Sequence, residues 1–174
     1  MAYKFKRKES TTKALRRLCA TRIEDALSQI KECHTLDAVH GVRKEIKKLR
    51  ALLRLVEPGM RRADFRCLTR DLKKAARYFG PARDAHVTSQ ALGLVLEHYR
   101  EQLGSRQFTN IRPVLREACE QEEKNLREQR LPQRVARIFG AVQKHVKSVT
   151  LCKEGWPIIG AGIQTSYAAG RRAW

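Results

Sequence analysis

The stretch His40-Gly-Val-Arg43-Lys44-Glu45-Ile46-Lys47-Lys48-Leu49-Arg50-Ala-Leu52-Leu53-Arg54 decides the fold and points to the function. At about 100° per residue, Val42, Ile46, Leu49, Leu52, Leu53 and Val56 share one side of a helix, and His40, Arg43, Lys44, Lys47, Arg50 and Arg54 fall within about a third of its circumference on the other. A charged stripe opposite an apolar one is ordinarily the solvated face of an amphipathic helix. Ordinary solvated faces, however, mix acids with bases one turn apart, as Glu117, Glu120, Glu122 and Glu123 do beside Arg116, Lys124 and Arg127. The 40–54 stretch holds a single acid, Glu45, and the expectation is that ion pairs within it leave the strip unquenched. Like charges one turn apart repel, a cost that a seated anion would offset.

Working outward, apolar residues recur at three- and four-residue spacing almost throughout, and alternating β-branched runs are missing. The chain therefore reads as all-α, an antiparallel helical bundle. A first helix is expected from Ser10 or Thr11 to about Lys31, a second from after Thr35 to Pro58-Gly59, and a third from about Arg62 to Phe79, broken at Gly80-Pro81. A fourth runs to about Leu103, with Gly104 as its terminator. Asn110 suits the cap of a fifth helix with Pro113 in its first turn, Pro132 opens a sixth ending near Thr150, and Ile158–Trp174 forms a seventh weakened at its start by Gly160 and Gly162.

The 174 residues suffice for one core, so a single packed unit over 1–174 is expected, with a basic four-helix bundle over 1–104 and additional helices over 105–174. Lys and Arg number 37 against 18 Asp and Glu, a net charge of +19 that implies a polyanionic partner: nucleic acid, anionic lipid and polyphosphate all fit. Residues 1–90 carry net +13 of it, which places the anion-facing surface in the first half. No apolar run approaches the roughly 20 residues of a membrane span, and Met-Ala-Tyr-Lys-Phe-Lys lacks the apolar core of a signal peptide, so a cytoplasmic protein with no membrane partner is expected. Cys19, Cys33, Cys67, Cys119 and Cys152 show no paired spacing and read as small buried hydrophobes in a reducing compartment.

The third helix adds Arg66, Arg70, Lys73, Lys74 and Arg77 and leads into Phe79-Gly80-Pro81-Ala82-Arg83-Asp84-Ala85-His86. The start of the next helix offers free N–H groups to an anion, with Arg83 able to fork onto a phosphate and Asp84 able to hold a neighbouring Arg. No metal-ligand spacing is found, His34 with His40 and His86 with His98 included. Paired carboxylates, a nucleophile with its base and a phosphate-cradling glycine loop are missing as well, so neither an enzyme nor a cofactor is expected.

His40-x-x-Arg43-x-x-x-Lys47-Lys48-x-Arg50, followed by Leu72-x-x-Ala75-Ala76-x-x-x-Gly80-x-x-Arg83-Asp84-x-x-Val87, resembles the CHAD domain, and Tyr3-Lys-Phe-Lys with Leu15-Arg16-Arg17-Leu18 resembles that family's lead-in. The resemblance implies two similar four-helix bundles that bind inorganic polyphosphate along a basic central surface. Carried over position by position, His40, Arg43, Lys47, Lys48, Arg50, Arg54 and Arg83 become the anion-contacting set, with Asp84 orienting them. Lys48 enters by the family pattern alone, whereas Lys44 joins from the helical wheel. Arg70, Lys73, Lys74, Arg77 and His86 are expected to support the set. The family has an acid where this chain has His86, which would make the turn more cationic here. Ile159-x-x-Gly162-Ile163-x-x-x-Tyr167-x-x-Gly170-Arg171-Arg172 resembles the opening of the family's second half, and the sequence then stops at Trp174. The second bundle is thus expected to be incomplete, with a homodimer supplying it in trans as one consequence.

Polyphosphate has no bases and asks only for closely spaced cations, whereas single-strand binders add aromatic platforms. Between His40 and Asp84 only Phe65, Tyr78 and Phe79 are aromatic. The leading expectation is therefore non-catalytic polyphosphate binding, in the cytoplasm and at polyphosphate granules. An RNA-binding helical protein, or a helical adaptor that needs a partner, stand as the alternatives.

Overall fold

A computed structural model describes residues 4–6, 8–31, 35–102 and 108–172. Tyr3, Cys33, His34, Leu103, Gly104 and Trp174, named above, lie outside the described residues. Seven helices and no strand occur among the described residues: α1 Thr11–Lys31, α2 Leu36–Val56, α3 Arg62–Tyr78, α4 Gly80–His98, α5 Ile111–Glu128, α6 Leu131–Ser148 and α7 Trp156–Arg172, with a 3-10 turn at Glu57–Gly59. Thr35 caps α2, its Oγ1 accepting from the Ala38 N–H, and Ser10 does the same for α1 through the Lys13 N–H. Asn110 precedes α5 as expected, but its side chain makes no capping bond.

The bundle is built from α1, α2, α3 and α6: α1 packs on α2 and α6, and α3 packs on α2 and α6. Fully buried Leu15 and Ile23, Ile46, Leu49 and Leu53, Leu68 and Leu72, and Val135 and Phe139 meet at its centre. This corrects the expectation that residues 1–104 make the four-helix bundle by themselves, because the fourth wall comes from residues 131–148. Apolar content explains the exchange. Along α4 only Ala82 is buried while Leu94 and Val95 face solvent, whereas α6 buries Val135, Phe139, Val142 and Val146 on one face. α4 leaves the bundle after its first turns and pairs with α5 as a hairpin.

Contacts distant in sequence tie the bundle shut. The Glu154 carboxylate, in the loop after α6, accepts from the Thr12 N–H at 3.2 Å and from the Thr12 hydroxyl, while Gly155 N–H donates to Thr11 Oγ1 at 2.7 Å. Burial works to raise the Glu154 carboxyl, but the bonds from Thr12 and Thr11 outweigh it and hold it below the ordinary glutamate range. Glu154→Ala is expected to cost about 1 kcal/mol, the usual worth of a lost N-terminal cap, read as a lower midpoint in urea.

Between α3 and α6, buried Asp64 accepts from Arg61 Nε at 2.8 Å and lies 2.8 Å from His145 Nε2. The His145 hydrogen bond chiefly, and that of Arg61 after it, hold the Asp64 carboxyl below its ordinary 3.8 against the opposing effect of burial. A carboxyl depressed in the folded state stabilises fully above its unfolded value and stops doing so as pH falls through the folded one. Asp64→Asn is therefore expected to lower stability by about 1–2 kcal/mol at neutral pH. It should also flatten the loss of stability on acidification below about pH 4, measured by urea titration at stepped pH.

α7 lies across the end of α2. Gly162 is buried against the α2 backbone, where a methyl group would run into the Leu55 carbonyl oxygen. The glycines that the sequence marks as weakening this helix are thus tolerated because one of them lets two backbones approach. Cys19 is buried, which pushes its thiol up to about 12, while Cys67 and Cys119 are half-buried and Cys152 is exposed, so the reading of the cysteines as buried hydrophobes holds for Cys19 alone among the described four.

Candidate polyanion-binding surface

The α2 face opposite the core presents its cations as the helical wheel requires. His40, Lys44, Lys47 and Arg54 are exposed and Arg43, Lys48 and Arg50 half-buried. Among the described residues, His40, Lys44, Lys47, Arg50 and Arg54 pair with no carboxylate. Lys47, Arg50 and Arg54 line a trough of about 340 Å³ with Ala51 of the same helix and Ser166 of α7. Arg50 Nε is itself buried and has no hydrogen-bond partner among the described residues. Ser166 carries no signal in the sequence; its place follows from the seat of α7 on Leu55.

Arg43 is turned differently. Its Nη1 donates to the Ala76 carbonyl of α3 at 2.7 Å, locking α2 to α3. Burial chiefly, and the neighbouring Arg83 charge, lower its pKa, while Asp84 works the other way. Arg43 and Arg83 thus lie close enough to repel, and the start of α4 joins the end of the α2 strip. Arg83 Nη1 is 2.7 Å from Asp84 Oδ1, so Asp84 takes part of that charge.

Three expectations change. Glu45 is buried, and its carboxylate holds both Arg22 Nη1 of α1 at 3.1 Å and Lys48 Nζ at 2.6 Å. The strip is therefore not free of internal neutralisation, and Lys48 faces an acid of its own helix. His86 Nε2 lies 3.3 Å from Asp37 Oδ1 at the start of α2, so when protonated its charge is met by a carboxylate and does not simply add to the turn. The α3 cations Arg66, Arg70, Lys73, Lys74 and Arg77 line a groove of their own, about 560 Å³, that shares no residue with the α2 trough. Arg70 there is 3.2 Å from Asp71 Oδ1. Arg134 on α6 carries no signal of its own in the chain order; its guanidinium sits 4.6 Å from the Tyr78 ring centre and donates to its hydroxyl at 3.0 Å.

Among the described residues no cluster of His, Cys, Asp and Glu could hold a metal ion. No helix of the described residues is long and apolar enough to cross a membrane. No curated protein and no solved structure matches the chain. The model of the CHAD domain matches residues 10–173, nearly the whole sequence, and on that match, with the helices and the α2 to α4 cations in place, the chain belongs to the CHAD domain family.

Proposed function

We propose that this protein binds inorganic polyphosphate, or a similar phosphate polyanion, on the α2 face and the adjoining start of α4, without catalysing a reaction on it. The observation that carries the reading is the trough of Lys47, Arg50 and Arg54, where three cations converge with no carboxylate partner among the described residues. Like charges held this close repel, and a chain of phosphates that spans them would remove the cost while supplying acceptors to each. Arg43, steadied by the Ala76 carbonyl, and Arg83, steadied by Asp84, extend the track beyond the trough. His40 and Lys44 flank it as exposed donors. The separate α3 groove serves as a supporting surface for longer chains. Its place of work, on this reading, is the cytoplasm, beside polyphosphate granules.

Titration with polyphosphates of defined length at two salt concentrations tests this. Affinity is expected to rise with chain length until the track is spanned, and to fall steeply with salt by counterion release, as it does for proteins on nucleic acids. RNA of matched charge should compete weakly, since no aromatic side chain lines the trough to stack a base. Equal competition by RNA, or affinity indifferent to salt, would overturn the reading.

A further inference from the structure

Beside the trough lies an apolar groove of about 650 Å³, walled by Phe5, Leu18, Leu52, Leu55, Ile163 and Tyr167. Its shape follows from Gly162. Backbone contact at that residue brings α7 down on Leu55, and the next turn of α7 then overhangs the flank of α2 without filling the space beneath. Ile163 and Tyr167 stay 46% and 69% exposed. Single exposed apolar residues are ordinary, but these converge on one concave wall within the size range of small-molecule sites. Ala51 and Ser166 line both the groove and the cationic trough, so the two open into one another.

We infer that the joined groove and trough bind a single-chain anionic amphiphile, a phosphate monoester carrying one long acyl chain. The head would occupy the trough among Lys47, Arg50 and Arg54, and the chain would lie against Leu52, Leu55, Ile163 and Tyr167. Polyphosphate satisfies only the charged half of this cavity, and a neutral hydrocarbon only the apolar half. A monoacyl phosphate satisfies both, burying apolar surface next to a charge-assisted anchor. The inference rests on the reading of the trough as an anion site; the groove is what it adds. Polyphosphate and amphiphile then compete for the same three cations.

The test is calorimetric titration of the whole chain with oleoyl lysophosphatidate below its micelle concentration, beside oleoyl lysophosphatidylcholine and glycerol 3-phosphate. One-to-one binding of the lysophosphatidate, tighter than either comparator by roughly tenfold or more, is the expected result. Ile163→Asn and Tyr167→Asn, made separately at exposed positions of the groove wall, should each weaken lysophosphatidate by roughly tenfold by setting an uncharged polar group against the acyl chain, and leave long-chain polyphosphate affinity unchanged. Arg54→Glu should weaken both ligands. The inference fails if the two lysolipids bind alike, if saturation appears only above the micelle concentration, or if neither groove variant changes lysophosphatidate binding. It fails too if sedimentation shows a ligand-free dimer that both groove variants dissociate, since a second copy would then fill the groove. Loss of polyphosphate binding alone would sink the proposed function and leave the amphiphile site standing.

Discussion

The triple variant Lys47→Glu, Arg50→Glu, Arg54→Glu is expected to lose affinity for long polyphosphate by about two to three orders of magnitude while its far-ultraviolet dichroism stays that of the native helices. Each replacement removes a charge-assisted hydrogen bond worth about 1.5–3 kcal/mol and puts a repulsive carboxylate in its place, though solvent and salt screen part of the sum. All three side chains line the open trough and none pairs with an acid among the described residues, so the bundle loses no ion pair. Arg43 is a poorer choice for reversal, because its guanidinium also holds the Ala76 carbonyl and a glutamate there would push α2 and α3 apart. Lys48→Gln serves as the internal contrast. With Glu45 2.6 Å from its ammonium group, Lys48 has less charge to offer, and its loss is expected to cost no more than about threefold. If Lys48→Gln matched the triple variant, the trough would be misplaced.

Glu45→Ala carries the largest expected effect on stability, about 3–5 kcal/mol, seen as a fall in the urea midpoint at constant slope. The carboxylate is 4% exposed and neutralises Arg22, itself 10% exposed, across the α1 to α2 interface. Removing it takes from a buried guanidinium its most deeply buried acidic partner, while Asp25, at 2.7 Å and 43% exposed, still answers part of the charge, which sets the loss toward the lower end of that range. Arg22→Met with Glu45→Leu should recover most of the deficit, since well-packed apolar groups replace buried ion pairs at little or no cost. Recovery would show the pair to be a matter of matching and not of net stabilisation. Glu45→Ala removes no cation from the α2 face, so the destabilised protein, held below its unfolding transition, should bind polyphosphate no less tightly than the wild type.

These variants mark where the sequence was transparent and where it was opaque. Val42, Ile46, Leu49 and Leu53 repeat at the spacing of one helix face, and that face is buried as read. The breaks at Pro58-Gly59 and Gly80-Pro81, and the cap at Thr35, are local chemistry and fall within a residue or two of the observed helix ends. Glu45 was opaque because periodicity reports which side of a helix a residue occupies and says nothing about an arginine 23 positions earlier that awaits it. For the same reason α6 could not be recognised as the fourth wall. Its apolar stripe resembles any other, and only the poverty of α4 after Ala82 hints that the next helix in order would not serve. The grouping of Lys47, Arg50 and Arg54 was legible on one helix, but Ser166 and the apolar groove depend on where Gly162 sets α7, a fact of three dimensions.

The clasp between Thr12 and Glu154 reaches across 142 positions of sequence, and it sets a timetable for the newborn chain. As a ribosome releases the polypeptide, the first helix emerges without the carboxylate that finishes its leading end, and the hairpin of the first two helices waits for its opposite wall until residues 131–148 have followed. Closing so long a loop is slow compared with winding a helix. The apolar faces of the early helices therefore stay open until residues 131–154 have been made, and the newborn chain needs shelter for that interval.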